Sequence, residues 1–250
     1  MPTASGAYPR HRVITLYGRM PVLEALLDSQ AVIGKVVLAR GAQGEVVERI
    51  LSLAAGRAVQ VERADARRVT QISRNGRHDQ GVVADVLSPG LAELEEWLGG
   101  RRGRLSLLLL DGLTNPANVG MIIRTAVGAG LDGVVLPRLG SPDVGPLVVK
   151  ASAGVALRAP VLRCATPADA ATTLIAAGVT LIGLRASDGA ALWDAEAPAR
   201  AAYVLGNETT GVSLPVDAWW SIPLAPGAES LNVASAAAVL AFDLARRAAR

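Results

Sequence analysis

A chain of 250 residues with 51% hydrophobic residues and a formal net charge of +3 can bury one large core or two smaller ones. Aromatic residues are only 3%, so that core must come from Ala, Val and Leu. The single cysteine, Cys164, excludes an internal disulfide and a cysteine-only metal site, and the most apolar stretch, LSLLLL, is far short of a membrane span.

The opening MPTASGAYPRHR has no apolar segment of signal-peptide type. It reads as a disordered tail over residues 1–12 of a cytoplasmic protein that uses no membrane. From Val13 to about Val86, helical and strand patterns alternate. GRMPVLEALLDS is helical, KVVLAR a strand, EVVERILSLAAG a helix, AVQVER a strand, ADARRVTQIS a short helix and QGVVADV a strand. This gives a small α/β unit over residues 13–87. LSPGLAELEEWLGGRRGRLS then combines a Pro-Gly break, a short acidic helix and Gly-Arg pairs, and is expected to be a linker over residues 88–104.

The second unit, residues 105–250, opens with the strand LSLLLLDGL. Helix NVGMIIRTAVGAG, strand DGVVLP, helix GPLVVKASAGVAL, strand APVLRC, helix PADAATTLIAAG, strands VTLIGLRA and AAYVLGN, short strand WWSIPLAP and a long C-terminal helix follow. Apolar strands alternating with helices imply an α/β fold whose parallel sheet is covered on both faces. GAGLDG, residues 128–133, matches the dinucleotide pattern G-x-G-x-x-G. Its helix comes first and its strand second, the reverse of what a pyrophosphate site requires, so these glycines read as a helix C-cap and a tight turn. His11 and His78 are the only histidines, which leaves little for a His-based triad or metal site.

Lysines are scarce: Lys35 and Lys150 stand against 23 arginines. Arg57, Arg63, Arg67, Arg68, Arg74 and Arg77 crowd one stretch with only Glu62 and Asp65 as acids. Such a group is either a solvated face or a nucleic-acid footprint. Polar residues also gather where apolar strands end. Asn115-Pro116-Ala117-Asn118 leads into a helix carrying Arg124. Gly206-Asn207-Glu208 follows YVL, and Ser230-Leu231-Asn232 opens the last helix. Asn118 and Ser230 could each be ordinary helix caps. Together the three loops put Asn, Ser, Glu and Arg on one side of the sheet, where α/β proteins bind ligands.

NPANVGMIIRTA, YVLGNETTGVS and IPLAPGAESLNVASAAAVLAFD resemble the three motifs of the SpoU (TrmH-like) RNA 2′-O-ribose methyltransferases. LYGRMPVLEALL and HDQGVVADV are similar to the small ribosomal-protein-like substrate-binding domain that precedes many of them. The resemblance implies a deep trefoil knot in the C-terminal domain, S-adenosylmethionine as cofactor and a homodimer with active sites at the subunit interface. It implies that Asn118, Arg124, Glu208, Ser230 and Asn232 carry the chemistry, with no metal. It also implies that Leu205, Gly206, Asn207, Ile222, Leu224, Gly227 and Leu231 hold the cofactor, largely through main-chain groups, with Gly206 letting the chain turn close against it. RNA is expected at Arg12, Arg19, Arg67, Arg68, Arg74 and Arg77, with the linker letting the small domain close on it. The substrate expected is rRNA of the large subunit. The alternatives are tRNA, a non-catalytic RNA-binding protein of the same fold, and, on GAGLDG alone, a nucleotide-dependent dehydrogenase. Two positions depart from the family: Thr209 follows Glu208 where glycine is usual, and the glycine of the last motif is displaced to Gly227, behind Pro226.

Overall fold

The computed structural model describes residues 12–249. The expected tail therefore falls outside the described residues except for Arg12. That residue is held: its carbonyl accepts from the Ser88 N–H at 2.8 Å and its guanidinium lies 3.7 Å from Glu96.

The small unit contains β1 (Val13–Tyr17), α1 (Arg19–Leu27), β2 (Val32–Ala39), α2 (Glu45–Gly56), β3 (Gln60–Ala64), α3 (Ala66–Ser73) and β4 (Val82–Leu87). Its sheet order is β1-β4-β2-β3, with β4 antiparallel to both neighbours and β2 parallel to β3. The large unit contains β5 (Leu91–Glu93), α4 (Leu94–Leu98), β6 (Leu105–Asp111), α5 (Pro116–Gly128), β7 (Gly133–Pro137), α6 (Pro146–Ala151) and β8 (Val161–Cys164). It continues through α7 (Pro167–Ala176), β9 (Thr180–Arg185), β10 (Ala190–Ala191), β11 (Arg200–Gly206), β12 (Ala218–Ser221) and α8 (Val233–Ala248). Eight strands pair in the order β10-β12-β9-β11-β6-β7-β8-β5, every pairing parallel.

Side chains alternate across this sheet because successive residues of a strand face opposite sides. In β6, Leu105, Leu107 and Leu109 join Ala170 and Leu174 of α7 on one face. Leu108 and Leu110 join Val119, Ile122 and Ile123 of α5 and Leu240 of α8 on the other. That two-sided burial is why LSLLLL reads as a continuous apolar run rather than an alternating one.

The stretch expected as a linker differs in part. Residues 91–93 form an edge strand on β8, pairing Leu91 with Val161 and Glu93 with Arg163, and α4 buries Leu94 and Leu98. A Cβ at Gly90 would lie 2.2 Å from the Ala159 carbonyl oxygen, so this glycine permits close packing rather than hinge motion. Only residues 99–104 keep the open Gly-Arg character, with Gly100 and Gly103 at positive φ and no neighbour near either. The stretch expected as one helix over GPLVVKASAGVAL is also broken: α6 stops at Ala151, and Ala153 and Gly154, both at positive φ, separate it from a 3-10 turn at Val155–Leu157. In GAGLDG the chain turns as expected, with the Ala129 N–H on the Thr125 carbonyl at 2.9 Å and Gly130 at φ 72.

The arginine-rich stretch divides by role. Arg57 closes the end of α1, its guanidinium donating to the carbonyls of Leu26 at 2.8 Å, Asp28 at 3.0 Å and Ala31. Arg63 reaches the carbonyls of Ala39 and Ala42. Both are structural: Arg57 satisfies carbonyls left over at the end of a helix, and Arg63 those at the end of β2 and in the turn that follows it. Arg67, Arg68, Arg74 and Arg77 are exposed, and their side chains have no hydrogen bond or ion pair among the described residues. Among those residues no helix is long and apolar enough to cross a membrane.

Arg57→Ala is expected to lower the unfolding free energy by about 2 kcal/mol, since hydrogen bonds from a charged donor contribute roughly 1.5–3 kcal/mol. Urea denaturation checks this. A loss under about 0.5 kcal/mol, the range of a plain surface residue, would contradict the capping role.

Candidate active site

The site stands at the carboxyl ends of β6, β9, β11 and β12, around the place where strand order reverses and open parallel sheets bind ligands. Asn115 caps α5, its side chain accepting from the Ala117 N–H at 2.9 Å. Asn118 is therefore not the cap but the third helical residue, and it is buried. Its amide nitrogen donates to Glu208 Oε1, and its Oδ1 accepts from Asn232 Nδ2 at 3.3 Å. Asn232, rather than Ser230, caps α8, accepting from the Ala234 and Ser235 N–H groups at 2.9 and 3.4 Å. One buried amide thus ties together three loops widely separated along the chain.

A cavity of about 340 Å³ opens beside this triad. Leu205, Gly206, Asn207, Ile222, Leu224 and Leu231 line it, as do Glu208, Ser230 and Asn232. Gly227 does not. It takes φ 91 in the Ala225–Ala228 turn, where the Ala228 N–H reaches the Ala225 carbonyl at 3.2 Å. Pro226 followed by Gly227 suits that turn, so the displaced glycine preserves the bend. Thr209 stays out of the left-handed region, which in this loop is taken by Gly211 at φ 71, so a Cβ at position 209 is accommodated.

Two residues of the cavity wall also hold the loop itself. Asn207 is committed to the loop itself: its amide nitrogen donates to the Gly112 carbonyl at 2.8 Å and its Oδ1 accepts from the Thr209 N–H at 2.8 Å. Gly206 has no room for a side chain because residues 211–212 fold back on it; a Cβ there would lie 2.2 Å from the Gly211 carbonyl carbon. The close approach the glycine permits is to its own loop. Arg124 is exposed on α5, does not line the cavity, and has no side-chain partner among the described residues. The cluster therefore does not pair Arg124 with Glu208 within one chain.

Sequence reasoning missed Asp111 and Ser213. Buried Asp111, at the end of β6, accepts from the Ser213 N–H at 2.6 Å and its hydroxyl at 2.9 Å, pinning the far side of the Gly206 loop. An acid ending an apolar run was the available signal. Leu184 and Arg185 at the end of β9 and Ala186 just beyond it also line the cavity, because β9 lies between β11 and β12. Cys164 is a bystander, its thiol pushed up to about 11 by burial. Among the described residues no group of three or more His, Cys, Asp or Glu is placed to hold a metal ion.

Gly206→Ala is expected to overpack the loop and cost about 1–3 kcal/mol, lowering the melting temperature by roughly 2–10 °C. Scanning calorimetry tests this, and an unchanged transition would show that the 207–213 loop is not packed as described.

Residues 106–242 match the model of the SpoU rRNA Methylase family, and residues 15–89 match that of the RNA 2′-O ribose methyltransferase substrate-binding domain. A Staphylococcus aureus protein named as a TrmH family tRNA/rRNA methyltransferase is 30% identical over 239 residues, covering 93% of this chain and 95% of its own. The AdoMet-bound rRNA methyltransferase from Sinorhizobium meliloti is 26% identical, with a TM-score of 0.64 over 95% of this chain and 88% of that one. The SpoU methyltransferase AviRb from Streptomyces viridochromogenes, in complex with AdoMet, shares the fold at a TM-score of 0.69 and 23% identity, over 96% of this chain and 92% of that one. With its motif residues gathered at one end of the parallel sheet and a substrate-binding domain ahead of it, the chain belongs to the SpoU family of RNA methyltransferases.

Proposed function

We propose that this protein transfers a methyl group from S-adenosylmethionine to a ribose 2′-OH of large-subunit rRNA. The observation that carries the reading is the Glu208–Asn118–Asn232 hydrogen-bond chain on the rim of the cavity. The cavity fits the cofactor in kind. Leu205, Ile222, Leu224 and Leu231 offer aliphatic walls to an adenine, and strand-end main chain beside Gly206 and Leu224 offers donors and acceptors.

When bound, the cofactor supplies an already activated sulfonium methyl group. The chain's own task is to orient the hydroxyl and assist loss of its proton. Glu208 has one oxygen held by Asn118, which fixes the direction of the other. Arg124, without a side-chain partner among the described residues, suits a phosphate beside the target ribose, because its planar fork donates two parallel bonds. Ser230 and Asn232 present hydroxyl and amide groups at the same rim.

The homodimer is part of the proposal. Met121 and Val127 on α5 and Phe242 on α8 are 41%, 41% and 56% exposed, an apolar strip interrupted by Arg124. Covering that strip with a second copy would bring Arg124 to the partner's site. The trefoil knot is likewise inferred from family membership, and the late insertion of β12 between β9 and β10 is consistent with it. A cytoplasmic location accords with rRNA as substrate. Large-subunit rRNA is favoured over tRNA by the separate substrate-binding domain. Comparing 2′-O-methyl maps of rRNA and tRNA from cells with and without the gene tests the choice. Loss of one rRNA mark supports it, and loss of a tRNA mark instead would transfer the assignment to tRNA.

Arg124→Ala is expected to lose most methyl transfer while cofactor affinity, measured by calorimetry, stays unchanged. Arg124→Lys should keep a measurable fraction, since a point charge remains without the fork. Full activity in Arg124→Ala would remove this residue from the mechanism.

RNA contact by the small unit is assigned to Arg67, Arg68, Arg74 and Arg77, with Arg12 and Arg19 at its edge. Arg19 is partly engaged with Gln80, and Arg12 with Glu96. Replacing Arg67, Arg68 and Arg74 with Ala should weaken RNA binding and flatten the log–log salt dependence by about 2, because each phosphate contact contributes roughly 0.7–0.9. An unchanged slope would make these arginines a solvated face.

A further inference from the structure

A second cleft, of about 580 Å³, lies between the two units. Arg74 and Asn75 line it from the small unit; Pro116, Arg138, Asp143 and Arg163 line it from the large one. Arg163 is the unusual member. It sits inside β8, between β5 and β7, and is only 5% exposed. Its Nη2 bonds Asp143 Oδ1 at 3.1 Å, while its Nη1 is buried without a hydrogen-bond partner among the described residues.

Leaving a buried charged donor unpaired is costly, and burial lowers the pKa of this guanidinium from its ordinary value while Asp143 opposes that shift. Asp143 is a poor lifelong partner. Its side chain is 92% exposed, on the loop between β7 and α6, so water competes for it. A buried fork, half occupied by a solvated carboxylate, is the arrangement expected of a site where another anion can take the carboxylate's place. Arg74, whose side chain has no partner among the described residues, adds positive charge to the same cleft, while Arg138 lines it with its own charge matched by Glu93 at 2.5 and 3.1 Å. Pro116 begins α5, whose third residue is Asn118, so the cleft adjoins the active site.

We propose that this cleft binds a phosphodiester of the substrate RNA, which displaces Asp143 and is received by the Arg163 fork with Arg74 beside it. The proposal rests on RNA being the substrate. The contact reads no base; it fixes the strand between the exposed arginines of α3 and the methylation site.

The test is filter binding of a labelled 23S rRNA transcript, and of a tRNA transcript pool, across a salt series, using the full-length chain. Asp143→Asn should bind the favoured RNA about three- to tenfold more tightly at low salt, because a competing and repelling carboxylate is gone. Arg163→Met should bind about tenfold more weakly and lose about 0.7–0.9 from the salt slope. In the double variant the gain from Asp143→Asn should vanish. Cofactor affinity should be unchanged throughout, which also certifies the fold. If Arg163 and Asp143 were only a structural pair, Asp143→Asn would leave RNA affinity unchanged or weaken it, and that result overturns the proposal. So does normal RNA affinity in Arg163→Met. If inorganic pyrophosphate raises the melting temperature of Asp143→Asn while its RNA affinity equals that of the parent chain, the cleft is a small-anion site and the RNA assignment falls. Failure of the unaltered chain to bind either RNA would defeat the broader reading as well, a result separable from any of these.

Discussion

The side chain of Asn118 bonds to a glutamate and to a helix cap that lie far along the chain, and the arrangement of the whole cavity depends on those two bonds. An amide suits this position because it donates and accepts at once. A carboxylate would face Glu208 as a like charge, and an aliphatic residue would leave a buried partner unsatisfied. The rest of the large unit can be understood as the means of delivering Asn118, Glu208 and Asn232 to one point. Parallel strands all end at the same side, and β6 and β11 are neighbours over seven residue pairs from Arg200 and Leu105 to Gly206 and Asp111. Asp111 and Ser213 then hold the returning loop from the other direction.

Much of this was readable because polar residues that interrupt apolar strands are conspicuous. The three loops, the alternation of helix and strand and the reversed context of GAGLDG all follow from local patterns. Less legible were features that depend on what lies across space. Arg57 and Arg67 look alike in a list of residues, yet one satisfies helix-end carbonyls and the other faces solvent. Leu91–Glu93 is too short to announce itself as a strand and gains its identity only from β8. Gly206 was recognisable as a residue that permits close approach, but not what approaches it. Arg163, at the end of an apolar run, gave no sign of being buried.

The two units are joined by more than the chain. Arg158 of the large unit bonds Asp28 of the small one at 2.6 Å, and Leu91 belongs to the same apolar cluster as the core of the small unit. The small unit therefore presents its free arginines in a set relation to the sheet rather than on a loose tether. In protein–RNA contacts generally, charge on phosphate gives affinity and register while shape and base edges give selectivity. Arg67, Arg68, Arg74 and Arg77 lie exposed on the small unit, and the cavity at the end of the large sheet is walled by Leu205, Ile222, Leu224 and Leu231 with one acid and one arginine among its lining.

The cavity wall draws on residues from Leu184 to Ala236, and β12, only four residues long, is wedged between β9 and β10. Its strand neighbours β9 and β10 pair with it in parallel rather than as a local hairpin, and the Asn118–Glu208 and Asn118–Asn232 bonds span 90 and 114 residues, which slows assembly. During synthesis the segments that form the pocket leave the ribosome after the first strands and helices of the large sheet. A nascent chain can bury the first strands of the large sheet while still lacking Asn232 and the final helix. Ligand binding then rewards only a chain that has already delivered Asn232 and α8, so any stabilisation by mass action comes after most of the large sheet has formed.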